Sequence, residues 1–427
     1  MKIEELYKQF KACSSVSTDT RKLVKDCMYF ALKGDNFDGN KFVDKAFEGG
    51  AKYCVVDNEN AVINENCILV NNSLISLQEL AKFHRNEIGI KIISLTGSNG
   101  KTTTKELINA VLASEYKVKA TVGNLNNHIG VPLTLLSFNE SLDFGIVEMG
   151  ANHKKEIEFL CNIAQPDYGL ITNFGKAHLE GFGSEEGIIE GKSELYKFLK
   201  ANNKIAFINT DDDKQTQQIN DYPKIITFGT RSTNNHTIKF KEANPYVVLS
   251  FNDTQINSQL IGDYNYGNIA VAVAIGQYFK VSSQNIKQAI ESYRPNNNRS
   301  EIIEKGDNTK IILDAYNANP TSMLAALKNF KQLPNGNKYL FLGDMFELGD
   351  SAKKEHQAIV NFIEENFSNN VHLVGKNFFE TNTKDSINKF STFEELKPIL
   401  PALDLSNSYL LIKGSRGMAL ERILEYI

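Results

Sequence analysis

The chain has no tryptophan, nine prolines and five cysteines in 427 residues. The cysteines (Cys13, Cys27, Cys54, Cys67, Cys161) are odd in number and nowhere spaced as Cys-x-x-Cys. That argues against a disulfide scaffold or a zinc ribbon and for reduced structural thiols of a cytosolic protein. Neither sign of charge dominates. Lys and Arg number 47 against 51 Asp and Glu, and the net charge of -4 gives no electrostatic footprint for nucleic acid or an anionic membrane. No apolar run approaches the length of a bilayer span, so no membrane insertion is expected. The start, Met1-Lys2-Ile3-Glu4-Glu5-Leu6, carries acids where a secretory leader carries its apolar stretch, and the expected location is the cytoplasm. Internal repeats and extended low-complexity segments are also missing.

What is present is an ordinary globular composition, 41% hydrophobic and 23% charged, on a chain too long for one core. Residues 1–86 mix short apolar runs with Gly and Asp turns and close with a helix-like stretch around Leu77-Gln78-Glu79-Leu80-Ala81. They read as a small N-terminal α/β domain. From residue 90 strands and helices alternate: strands at 90–96, 144–149, 168–174 and 204–209, helices at 101–115, 154–164 and 185–200. That pattern predicts a parallel sheet covered on both faces. Residues 238–260 alternate with period two and predict a small antiparallel insertion. The linker candidate is Pro295-Asn296-Asn297-Asn298-Arg299, and further strands follow at 311–313, 339–342, 371–374 and 409–412. The fold class is therefore α/β in three domains: N-terminal 1–86, a central phosphate-loop domain 87–296, and a C-terminal Rossmann-like domain 297–427.

Gly97-Ser98-Asn99-Gly100-Lys101-Thr102-Thr103 lies between a strand and a helix, the setting of a phosphate-binding loop. Glycines let main-chain N–H groups face phosphate oxygens, and the helix N-terminus adds its dipole. Lys101 is placed for the β- and γ-phosphates and the Thr102 hydroxyl for Mg²⁺. The general motif has a glycine where this chain has Leu95; the competing reading is a glycine-rich turn with an incidental lysine. Glu148 ends the next strand, over the edge where open α/β sheets bind ligands, and could hold Mg²⁺ opposite Thr102. His178 follows the strand after that. From spacing alone His178 is a structural histidine, His153 and His356 likewise, and Lys192 an ordinary helix lysine.

Taken together these segments resemble the Mur ligase family, in order and through nearly the whole chain. The resemblance is carried by Thr96-Gly97-Ser98-Asn99-Gly100-Lys101-Thr102, by Gly123-Asn124-Leu125-Asn126-Asn127-His128-Ile129-Gly130-Val131-Pro132, and by Glu148 and His178. It also rests on Lys192 before Leu195-Tyr196 and on Tyr264-Asn265-Tyr266-Gly267-Asn268, where the family has His at the first position. The family loop lacks the upstream glycine, which accounts for Leu95. The resemblance implies ATP and Mg²⁺ as cofactors, one Mg²⁺ on Thr102 and Glu148, and a second on Glu148, His178 and a carbamylated Lys192. It implies catalytic roles for Lys101, Glu148, His178 and Lys192. It further implies nucleotide contacts from Asn265, Asn268, Arg299 and Asp314, with Asp314 at the ribose.

Within the family, Asp314-Ala315-Tyr316-Asn317-Ala318-Asn319-Pro320 and Gly343-Asp344-Met345-Phe346-Glu347-Leu348-Gly349 are similar to the members that add D-alanyl-D-alanine to a UDP-linked muramoyl tripeptide. The Asp-Asn-Pro-Arg motif of the diaminopimelate-adding members is absent. Thr18, Asp19, Thr20 and Arg21 resemble the segment that docks the UDP-sugar, and Asn126, Asn127, Ser415 and Arg416 are implied as further substrate contacts. Lys155 stands where those members have Gly. The implied chemistry is an acyl phosphate made from ATP and captured by an amine, in a monomer. Alternatives are another Mur-type ligase, a folylpolyglutamate-synthetase-like ligase, or a nucleotide-driven switch.

Overall fold

Short β-branched and aromatic runs between turn residues make the strands, and these gather into three principal sheets. The structure, a computed structural model, describes residues 2–295, 298–306, 308–334 and 336–427. Met1, and Asn296 and Asn297 of the expected linker, lie outside the described residues.

The first sheet is parallel, in the order Val16–Ser17, Cys27–Phe30, Ala51–Val56, Cys67–Leu69. Its closing helix is longer than the sequence suggests, Ser73–Ile88, started by Asn72, which accepts the Ile75 N–H, and stopped by Gly89 in the left-handed region. That helix reaches the second sheet. Arg85 donates to the Ala164 and Gln165 carbonyls and pairs with Asp167 at 2.8 Å.

The second sheet has nine strands, ordered Thr254–Ile261, Tyr246–Phe251, His236–Ala243, Ile225–Gly229, Ile205–Asn209, Tyr168–Ile171, Lys91–Thr96, Phe144–Glu148, Val118–Ala120. It is parallel except at the two pairings of the hairpin strands. The expected insertion is thus not a separate piece: its first strand also pairs in parallel with Ile225–Gly229 and extends the main sheet. The helix Tyr266–Tyr278 is apolar nearly all round and buried behind the sheet against Lys101–Ala113.

The expected helix 185–200 is two helices, Glu185–Lys192 and Glu194–Ala201, broken at Ser193. The break frees Glu194, a buried carboxylate, to accept from the N–H groups of Lys155 (2.6 Å) and Glu158 (3.0 Å) and so cap Glu156–Ala164. Lys155, at φ 73°, forms the turn before that helix in the left-handed conformation a glycine would take without strain.

The third sheet runs Glu301–Lys305, Thr309–Asp314, Ser408–Lys413, Asn337–Gly343, Val371–Val374, Ile387–Phe390, antiparallel only at its first pair. Among the described residues no helix is long and apolar enough to cross a membrane.

Candidate active site

The strand Lys91–Thr96 lies between Tyr168–Ile171 and Phe144–Glu148, so the chain leaves it toward one side and later returns on the other. Ligands of open parallel sheets bind at such a switch point, beyond the strands' C-terminal ends. The loop that follows is built for close approach. At Gly97, φ 143°, a Cβ would sit 2.0 Å from Thr172 Oγ1; at Gly100, φ 77°, it would meet Asn268 Oδ1 at 2.5 Å. The next strand braces this loop: the Ser98 N–H donates to the Asn173 carbonyl (3.0 Å) and the Asn99 N–H to Asn173 Oδ1 (3.1 Å). Thr172 Oγ1 donates to the Asn99 carbonyl at 2.6 Å. Lys101 Nζ turns back onto the loop, 2.7 Å from the Gly97 carbonyl. Burial lowers its pKa from the usual lysine value, partly opposed by the Glu148 charge.

Glu148 lies 2% exposed at its strand end. Its Oε1 accepts from Asn126 Nδ2 (2.8 Å) and faces Thr102 Oγ1 at 3.4 Å. Its Oε2 is buried with no hydrogen-bond partner among the described residues. A carboxylate oxygen left without a partner in the interior is costly, and a divalent cation is a group that satisfies it beside a threonine hydroxyl. The donor set therefore fits Mg²⁺, although no cluster of three or more His, Cys, Asp or Glu gathers among the described residues.

Lys192 has no exposed surface. Its Nζ donates to the Ala151 carbonyl at 2.9 Å and lies 4.9 Å from the centre of the Phe182 ring. Burial first, and the Lys101 charge second, hold its pKa well below the usual value. An amine that stays neutral is the form that adds CO₂, so the surroundings fit a carbamate. His178 takes a left-handed backbone, φ 55°, and its Nδ1 lies 2.5 Å from Glu347 Oε2 of the C-terminal segment without the alignment of a hydrogen bond. A carboxylate beside one ring nitrogen leaves the other for a ligand.

Asn265 and Asn268 are buried and bonded to each other (2.8 Å), and Asn268 also accepts from Thr104 Oγ1 (3.0 Å). They lock the phosphate-loop helix as much as they line the site. Asp314 ends its strand opposite Lys413, whose Nζ lies 2.5 Å away, and Arg299 stacks on Tyr316 with its Cζ 3.6 Å from the ring centre. Asn127 Oδ1 accepts from the N–H groups of Ile129 and Gly130, and Ser415 Oγ accepts the Phe346 N–H. Arg416 pairs with Glu421.

One cleft of about 1110 Å³ is lined by Ser98 to Thr103, Asn126, Asn127, Glu148, His178, Asn265, Asn268, Arg299, Asp314, Ser415 and Arg416. Gly97 and the fully buried Lys192 are not part of the lining. The segment Thr18-Asp19-Thr20-Arg21 is not part of the lining. It is a turn in which Asp19 caps Thr20–Lys22 and binds the exposed Arg21 at 2.8 Å, which draws the Asp19 pKa down to about 2. Reading the sequence residue by residue gave no role to Glu347, Asn319 or Lys413. Glu347 and Asn319 stand inside quoted motifs, but their partners, His178 and Asn99, are far away in the chain.

Comparison with known proteins adds independent findings. Residues 95–276 match the Mur ligase middle domain, and residues 298–416 match the Mur ligase, glutamate ligase domain. A UDP-N-acetylmuramoyl-tripeptide–D-alanyl-D-alanine ligase of Bacillus subtilis is 36% identical over 96% of this chain and 92% of its own length. The structure resembles MurF from Acinetobacter baumannii with TM-score 0.87 at 28% identity, covering 99% of this chain and 98% of that one. It resembles MurF ligase from Thermotoga maritima, solved in complex with ADP, with TM-score 0.85 at 26% identity, over 98% and 97% of the two chains.

Proposed function

The chain belongs to the Mur ligase family, and from that premise we propose that it joins D-alanyl-D-alanine to UDP-N-acetylmuramoyl-tripeptide at the expense of ATP. The observation that carries this reading is the meeting, in one cleft, of the phosphate loop, Glu148 with an unsatisfied oxygen, and His178, with Lys192 buried behind them. Relatives so named, matched over nearly their whole length, support the choice of substrates.

A carboxylate acylates nothing while its leaving group is oxide. Transfer of the γ-phosphoryl group to the tripeptide carboxylate gives an acyl phosphate. The dipeptide amine attacks its carbonyl, and the tetrahedral intermediate expels phosphate. The protein's part is orientation and charge neutralisation. Lys101 swings from the Gly97 carbonyl to the β- and γ-phosphates. Glu148 and Thr102 would hold one Mg²⁺, and Glu148, His178 and a carbamylated Lys192 the second; the metal supplies Lewis-acid polarisation of phosphoryl oxygens. Glu347 keeps the His178 ring aimed. Asn265, Asn268, Arg299 and Asp314 bind the nucleotide, and Asn126, Asn127, Ser415 and Arg416 face the peptide substrates. Thr18 to Arg21 dock the UDP end, outside the reaction cleft. In this reading the three sheets are three domains, 1–86, 87–296 and 297–427, of a cytoplasmic monomer.

A phosphate-release assay tests the reading. The UDP-linked tripeptide is crossed against D-alanyl-D-alanine, single amino acids and glutamate. Phosphate release that needs both tripeptide and dipeptide supports it; release with ATP alone would make the chain a nucleotide-driven switch instead.

A further inference from the structure

We infer that Lys176 is a positioning residue that couples seating of the C-terminal sheet's helices to the helix carrying Lys192. The inference rests on the ligase reading above for its kinetic consequence, but not for its conformational one.

Lys176 stands in the loop after Tyr168–Ile171, outside the cleft lining, and touches no proposed substrate site. Its contacts divide between two bodies. The Lys176 N–H donates to Thr321 Oγ1 (2.9 Å), and Nζ reaches Glu355 Oε1 (3.0 Å), in the first turns of Pro320–Gln332 and Ala352–Asn366. The same Nζ lies 3.2 Å from Glu185 Oε1, in the first residue of the helix whose last residue is Lys192. The Glu355 side chain is only 11% exposed, and Lys176 is its one cationic partner among the described residues. A carboxylate that shielded is costly to leave without a counter-charge, so the pair favours the seated arrangement. Nearby, Asn319 Nδ2 donates to Asn99 Oδ1 at 2.7 Å, which puts the same helix start against the phosphate loop. The ammonium thus ties the helix Ala352–Asn366 to one end of Glu185–Lys192, the main-chain N–H holds Pro320–Gln332 beside it, and Lys192 sits at the other end. Seating of the C-terminal unit then fixes where the Lys192 side chain stands when the phosphoryl group moves.

The test uses the full-length protein as Lys176→Met, Lys176→Arg, Glu355→Gln and the double variant Lys176→Met/Glu355→Gln. Three readouts are taken: the ADP dissociation constant, kcat at saturating substrates, and compaction by small-angle scattering with a non-hydrolysable ATP analogue. Expected are ADP binding within about two-fold of wild type, kcat about ten-fold lower for Lys176→Met, and reduced compaction. Lys176→Arg recovers most of the loss, and the double variant is no worse than Lys176→Met alone. Wild-type kcat and compaction in Lys176→Met, or losses in the double variant that multiply, would overturn the inference. Should Lys176→Met not fold, Glu355→Gln and Lys176→Arg decide by the same readouts. Should the wild type not ligate, the ligase reading falls while compaction still tests Lys176.

Discussion

Lys192 and His178 differ in how each is held. The lysine is sealed beneath Ala151 and Phe182, and the histidine is gripped from across the cleft by Glu347. Neither arrangement suits a residue whose only task is to fill space, because an apolar side chain would fill either position without burying a polar nitrogen. Replacing Lys192 or His178 by Ala is expected to lower kcat on the order of a hundred- to a thousand-fold, measured at saturating substrates. Near-wild-type turnover in Lys192→Ala would end the carbamate proposal; a carbamate carbon resonance after incubation with labelled bicarbonate would support it. At this scale the sequence was partly legible. Strand-loop-helix context marks Gly97 to Thr103 and the strand end marks Glu148, because both signals are local. Nothing local distinguishes Lys192 from any helix lysine: its meaning depends on burial, and burial depends on residues that the chain brings in from elsewhere.

Strands and helices show the same division. The strands Lys91–Thr96 and Asn337–Gly343 were legible from the apolar runs at 90–96 and 339–342. Glu301–Lys305 and Ile387–Phe390 are short edge strands with charges in them, and only their partners make them strands. The break at Ser193 went unread because a lone Gly191 is tolerated inside a helical pattern, and the reason to stop lies in capping a different helix. Val371–Val374 yields a prediction of its own. His372 is 3% exposed, stacked on Phe341 with ring centres 4.9 Å apart, and neither ring nitrogen has a partner among the described residues. Burial pushes its pKa from 6.5 down to about 4. The unfolded chain therefore binds this proton more readily than the folded one. Stability rests on the neutral ring above the unfolded value and is lost as pH falls toward the folded value. Between about pH 7 and about pH 4.5 this one group should cost about 2 kcal/mol. Urea midpoints of wild type and His372→Phe at both pH values check it; the variant should lose correspondingly less.

For the whole molecule, buried residues from all three principal sheets and the helices on them belong to one continuous apolar core. Leu77, Leu80 and Ala81 share a continuous apolar core with Val131, Leu135, Ile157 and Leu160, and Arg85 anchors that seam against Asp167, which Lys204 also holds at 2.7 Å. Arg85→Met should cost about 2–3 kcal/mol, toward the low end for breaking a shielded pair because Lys204 remains. Chemical denaturation should show the loss in a transition that spans both sheets. If only the first sheet is destabilised, the seam is weaker than its contacts indicate. The C-terminal sheet joins the same core, which holds Met345 and Leu348 together with Leu179 and Phe182, and at the cleft it adds polar contacts to Asn99, Lys176 and His178. Those polar contacts have a consequence for anything made to block the cleft. A compound that spans it leans on ion pairs as well as on apolar walls, and its grip will weaken as salt screens them.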